Sequence, residues 1–142
     1  IAALDPEIQV YAKACPLFVP LVENGRFQPG DPVIEIVARE YLEEMRSTDM
    51  DTLILGCTHY PLLTDIIGRI MGPGVTLISA GEESAYELKR TLKAQDLLAD
   101  PSRSGDATYY VSDRVEDFEK IAAWFLQEDL HHEANQIDID RY

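Results

Sequence analysis

The chain has 142 residues, 46% of them apolar, and a formal charge of −14 from 26 acidic and 12 basic side chains. This length describes one ordinary globular domain that can bury about two thirds of its unfolded surface, so neither disulfides nor a structural metal is needed for stability. The longest apolar runs fall far short of the ~20 residues that span a bilayer, and an isoelectric point near 4.4 with scattered basic residues argues against a polyanion, so neither membrane nor nucleic acid is an expected partner.

Residues 8–14 alternate apolar with polar or small side chains and lead into Cys15-Pro16, which predicts a strand. Residues 16–22 predict a short helical turn stopped by Asn24-Gly25. Asp31-Pro32 supplies an N-cap and a first-turn proline, and Ile34, Ala38, Tyr41, Leu42 and Met45 form one apolar helical face ending near Ser47. Thr52-Leu53-Ile54-Leu55 lies between an acidic turn and Gly56, and reads as a strand buried on both faces of a parallel sheet. A second helix is predicted from about Pro61 to Met71.

Residues 75–78 repeat the buried-strand pattern, and Ser79 with Glu82 makes a capping box for a helix to about Leu98, with Ala85, Leu88 and Leu92 turned inward. After a loop at 101–106, residues 107–111 predict a last strand. Asp113 with Glu116 then opens a helix carrying Val115, Phe118, Ala122 and Phe125 on one side, where Trp124 and Phe125 are expected to serve packing. From Glu128 onward the sequence is acidic and unpatterned, and His131 and His132 read as tail residues. Strands separated by helical patterns imply right-handed crossovers, hence an α/β fold with a parallel sheet flanked by helices and ligands at the carboxyl ends of the strands.

Two cysteines 42 positions apart make no disulfide framework, and no charged segment followed by an apolar one opens the sequence, so a reducing cytoplasm is the expected compartment. The opening Ile1-Ala2-Ala3-Leu4-Asp5-Pro6, without methionine, is expected to mark a piece of a longer polypeptide.

Chemistry concentrates in Gly56-Cys57-Thr58-His59-Tyr60-Pro61, where a buried strand hands over to a helix. A thiol there faces the ligand crevice, and nearby backbone N–H groups and the positive end of a helix are expected to favour its thiolate. Thr58 offers a hydroxyl to an anion, His59 can stabilise the thiolate or exchange protons, and the N–H groups suit a carboxylate. The alternative reading makes Cys57 a small buried residue and His59 a satisfied histidine. Cys15, Cys57, His59 and the His131-His132 pair lack the paired spacing of a zinc site, so no metal is expected. No glycine-rich loop precedes a helix as a nucleotide site requires, and no cofactor is expected.

Gly56-Cys57-Thr58-His59-Tyr60-Pro61-Leu62-Leu63 resembles the second catalytic cysteine motif of the glutamate racemase family. The stretch from Ala14-Cys15-Pro16 to Val22-Glu23 and that from Ile78-Ser79-Ala80-Gly81 to Ala85 fall in that family's order and spacing. The resemblance implies a pseudosymmetric fold of two α/β lobes and a cofactor-independent racemase in which two thiols flank the α-carbon of glutamate, supplying D-glutamate for peptidoglycan. On its terms Cys57 is one catalytic thiol, His59 assists it, Thr58 holds the substrate carboxylate, and Glu23 is an acidic residue near the site. Residues 1–80 then belong to the second lobe, 81–127 return towards the first, and 128–142 form an acidic tail.

The family's amino-terminal half, with the opposite thiol, has no counterpart in the sequence, and Cys15 matches a different position with a structural role. The chain alone is therefore expected to be inactive, and a homodimer is expected when full length. A related aspartate or hydantoin racemase, and a noncatalytic amino-acid-binding or regulatory module, are the competing readings.

Overall fold

Two short parallel sheets, each closed by a helical crossover, organise the chain. The computed structural model describes residues 1, 3–127 and 134–141, and divides the chain into two compact units, Ile1–Gln95 and Asp96–Tyr142.

In the first unit, α1 (Phe18–Glu23) is stopped where Gly25, at φ 75°, donates its N–H to the Val22 carbonyl at 2.8 Å. α2 (Pro32–Arg46) begins as its sequence demands. The Asp31 carboxylate accepts the Val33 N–H at 2.9 Å, Pro32 occupies the first turn, and Ser47 caps the other end. Its buried face is Ile34, Ala38, Leu42 and Met45. β1 (Thr52–Leu55) pairs in parallel with β2 (Thr76–Ser79), Thr52 opposite Thr76 and Leu55 opposite Ser79.

Between these strands the expected single helix is two elements, a 3-10 turn over Tyr60–Leu63 and α3 (Thr64–Met71). α3 buries Ile66, Ile67 and Ile70, and an ion pair from Arg69 to Glu35 at 3.0 Å ties it to α2. It ends at Gly72, whose φ of 89° and ψ of 173° are open only to glycine. The core of the unit lies among α1, α2, α3 and β1, with Phe18, Val22, Ile34, Leu63, Ile66 and Ile67 as its most completely enclosed side chains.

Three expectations change here. Residues 8–14 join no ladder, and Ile8, Val10 and Tyr11 stay exposed. β1 is buried on one face rather than two, since Leu55 is enclosed while Ile54 is 51% exposed. α4 (Ala80–Ala94) starts as expected, with Ser79 Oγ accepting the Glu82 N–H at 3.4 Å, but stops at Gln95 before the left-handed Asp96. It buries none of its residues and leaves Leu88 58% exposed, because it meets the first unit chiefly through β2.

In the second unit β3 (Tyr109–Val111), α5 (Val115–Leu126) and β4 (Ala134–Gln136) form one strand–helix–strand crossover, with Tyr109 opposite Ala134 and Val111 opposite Gln136 in a parallel pair. Part of the segment from 128 onward that reads as unpatterned is thus a strand. Its three residues, Ala134-Asn135-Gln136, are too few to show a period, and the parallel pairing with β3 supplies the order. A 3-10 turn, Ile139–Arg141, follows.

The cap of α5 also differs from expectation. Asp113 accepts the Arg114 N–H at 2.8 Å, and Arg114 occupies the cap position without a side-chain bond. Val115, Phe118 and Ala122 are half-buried, with Tyr109 against Phe118 at 6.1 Å, while Phe125 is exposed. Lys120 lies over the Trp124 ring at 5.3 Å. His131 and His132 fall outside the described residues.

Candidate functional site

β1 delivers Gly56 and Cys57 to the carboxyl end of the sheet, where α/β folds bind ligands. The turn that follows is held by its own backbone. Tyr60 donates its N–H to the Cys57 carbonyl at 3.1 Å, and Leu62 donates to the His59 carbonyl at 3.2 Å. The α-helix expected to begin beside the thiol begins only at Thr64, so a tight turn and one 3-10 turn separate Cys57 from its amino end.

Three of the predicted residues meet at one imidazole, and the fourth comes from α1. The His59 Nδ1 lies 4.0 Å from the Cys57 sulfur and 3.3 Å from the Thr58 hydroxyl, and its Nε2 lies 3.2 Å from Glu23 Oε1. A carboxylate on Nε2 favours the tautomer protonated there, which leaves the Nδ1 lone pair towards the thiol and the hydroxyl. Such a row can move a proton between sulfur and imidazole while the carboxylate balances the charge. Cys57 and His59 are half-buried, Glu23 and Thr58 exposed, so the row opens to solvent on this chain.

Cys15 is elsewhere and differs in kind. It is only 7% exposed, its thiol reaches the Lys13 carbonyl at 3.8 Å, and burial pushes its pKa up, with Lys13 opposing in part. Among the described residues no group of three or more His, Cys, Asp or Glu side chains is placed to hold a metal, and no helix is long and apolar enough to cross a membrane.

Sequence reasoning passed over what holds the row together. Phe18 stands edge-on to two rings, Tyr41 at 5.4 Å and Tyr60 at 5.3 Å, and the Tyr60 hydroxyl donates to the Cys15 carbonyl at 3.4 Å. The Tyr41 hydroxyl accepts the Leu17 N–H at 3.3 Å. This cluster fixes α1, and with it Glu23, against the loop of His59. Burial, followed by the neighbouring thiols of Cys15 and Cys57, pushes the Tyr60 phenol pKa up. The signal available was Tyr60 itself, an aromatic residue inside the motif.

The fold and the loop together define an α/β protein with a thiol, imidazole and carboxylate gathered at the end of a parallel strand. Its homologues are glutamate racemases, matched over their C-terminal portion. The chain is 39% identical over all 142 residues to glutamate racemase of Thermoanaerobacter sp. strain X514, covering 52% of that protein. It superimposes on glutamate racemase isoform RacE1 of Bacillus anthracis with a TM-score of 0.86 and 33% identity, over 97% of this chain and 50% of that one. It matches the glutamate racemase of Francisella tularensis in complex with D-glutamate with a TM-score of 0.83 and 31% identity, again over 97% and 50%. The chain spans about half the length of the curated relatives it matches. No protein-family model matches it.

Proposed function

We propose that the chain supplies one half of the active site of a cofactor-independent glutamate racemase, with Cys57 as one of two thiols that exchange the α-proton. The observation that supports this is the row Cys57, His59, Glu23 at the end of β1, in a chain alike over its whole length to glutamate racemases.

An amino acid α-proton is very weakly acidic, so a base must meet it in a dry, preorganised pocket. In one direction the Cys57 thiolate takes that proton from Cα, and the thiol on the opposite face returns one to the carbanion. In the other direction the roles reverse, and no atom is gained or lost overall. His59 accepts the Cys57 proton to ready the thiolate, Glu23 steadies the imidazole, and Thr58 donates its hydroxyl to the substrate carboxylate. The substrate reading draws on the D-glutamate complex of the Francisella relative. With a single catalytic thiol the chain is inactive alone. Residues 1–80 form part of the second lobe and 81–127 return to the first. The complete protein is a cytoplasmic homodimer making D-glutamate for peptidoglycan.

The test is deuterium incorporation at Cα of glutamate in D2O, followed by NMR, with the chain completed by the unmatched half of the Thermoanaerobacter racemase. Exchange is expected for the pair, none for the chain alone, and a loss of about 10²-fold or more for Cys57→Ser. Retained glutamate affinity in a pair that never exchanges would instead favour the noncatalytic binding module. Unchanged exchange in Cys57→Ser would sink the assignment of the thiol.

A further inference from the structure

Tyr60 touches both the thiol loop and α1. Its backbone N–H donates to the Cys57 carbonyl at 3.1 Å, so its own position is fixed by the turn that carries the thiol. Its ring meets Phe18 of α1 edge-on, at 5.3 Å between centroids, and its hydroxyl donates to the Cys15 carbonyl at 3.4 Å. That carbonyl also accepts the Phe18 N–H at 3.1 Å, and a carbonyl oxygen has lone pairs for both bonds. The hydroxyl therefore bonds the turn that opens α1, the helix whose last residue is Glu23. Burial, ahead of the Cys15 and Cys57 thiols and the Tyr41 phenol, raises the Tyr60 pKa and keeps the hydroxyl a donor.

α1 acts as a short lever. Its far end is locked by the Asn24 side-chain amide on the Pro20 carbonyl and the Gly25 N–H on the Val22 carbonyl, each at 2.8 Å, so the helix moves as one body. Its six residues span ~9 Å, and a tilt of about 6° at the first turn carries the far end about 1 Å. Glu23 is exposed, so its helix, not enclosure, holds it in place. Its contact with His59 is 3.2 Å, and a shift of that size takes it beyond hydrogen-bond reach. We infer that the Tyr60 hydroxyl is a positioning group for the proton transfer: by bonding the Cys15 carbonyl it sets α1, and with it Glu23, on His59. This deepens the proposed chemistry and rests on it.

The test is Tyr60→Phe, which keeps the ring and the backbone bond and removes the hydroxyl bond alone, measured beside Glu23→Gln and the double variant. With its ring retained, Tyr60→Phe is expected to keep the parent's circular dichroism spectrum. In the chain completed by the unmatched half of the Thermoanaerobacter racemase, loss of this hydrogen bond is expected to lower kcat for glutamate about fivefold, with KM within about twofold. In the Glu23→Gln background Tyr60→Phe is expected to change kcat by less than about twofold, because a residue that acts through Glu23 has nothing left to act on. Iodoacetamide labelling of Cys57 at pH 7 in the chain alone is expected to follow the same pattern, slower in each single variant than in the parent, and no slower in the double variant than in Glu23→Gln. Parent values in Tyr60→Phe by either readout would overturn the inference. So would a loss confined to KM, or equal fold losses in both backgrounds, the mark of a contact that serves stability alone. If the parent pair does not exchange the α-proton, the racemase reading fails, and the labelling pattern still decides whether Tyr60 sets the row.

Discussion

Replacing Phe18 tests the link between packing and the thiol loop. The ring is 1% exposed and meets Tyr41 and Tyr60 edge-on, at interplanar angles of 69° and 87°. Truncation to alanine removes a fully buried ring and leaves a cavity, an expected loss of about 3–5 kcal/mol. Phe18→Leu keeps most of the apolar volume but forfeits two ring pairs of about 0.5–1.5 kcal/mol each, or roughly 1–3 kcal/mol together. For a cooperative unit of this size each kcal/mol lowers Tm by about 4–8 °C. Urea unfolding followed by circular dichroism, with the slope checked for constancy, measures both losses. The same variants are expected to disturb the 3.2 Å contact of Glu23 with His59, because α1 carries both Phe18 and Glu23. A loss below about 1 kcal/mol for Phe18→Ala would refute the packing described. A Phe18→Leu midpoint equal to that of the parent would refute the ring contribution.

Iodoacetamide is expected to label Cys57 well before Cys15, because Cys15 is enclosed and its thiol pKa is raised by burial, and peptide mapping that finds equal rates would count against this. The Gly72→Ala variant is expected to lose about 1–3 kcal/mol from backbone strain alone, since a Cβ there meets nothing within 4 Å. An unchanged urea midpoint would contradict that. The Asp31 carboxyl is held below its usual pKa, first by the Val33 N–H and then by Arg26. Its contribution is therefore full above the ordinary carboxylate range and lost as pH falls through the lower, folded-state value. Asp31→Asn, which keeps an N-cap acceptor, is expected to flatten the acid limb of a Tm-against-pH curve, and an unaltered limb would disprove the assignment.

Where local chemistry decides structure, the sequence was readable. Asp31-Pro32 and Ser79 set the starts of α2 and α4 through their own side chains, and Asn24-Gly25 ended α1. Thr52-Leu53-Ile54-Leu55 became a strand for its apolar, β-branched content. What escaped depends on partners distant in sequence. Residues 8–14 alternate like a strand yet join no ladder among the described residues, and the stripe of α4 at Leu88 meets too little of its unit to be covered. In the site, Cys57, Thr58 and His59 were marked by adjacency at a strand end, while Glu23 was found only through the family resemblance. No spacing rule foretells that α1 would bring its carboxylate to His59 across 36 positions, counted from 23 to 59. The aromatic brace of Phe18, Tyr41 and Tyr60 escaped for the same reason.

The two sheets close chain loops of nearly equal length, Thr52 to Thr76 spanning 24 positions and Tyr109 to Ala134 spanning 25. The entropy of closure grows only as the logarithm of loop length, so topology gives neither sheet a head start. The difference lies in the helix each loop carries, since α3 encloses Ile66, Ile67 and Ile70 while α5 encloses none of its residues fully. The first sheet should therefore form early and the second late during refolding. Pulse-labelled hydrogen exchange would show β1 amides protected before those of β3, and the reverse order would mean that burial does not set the sequence of assembly.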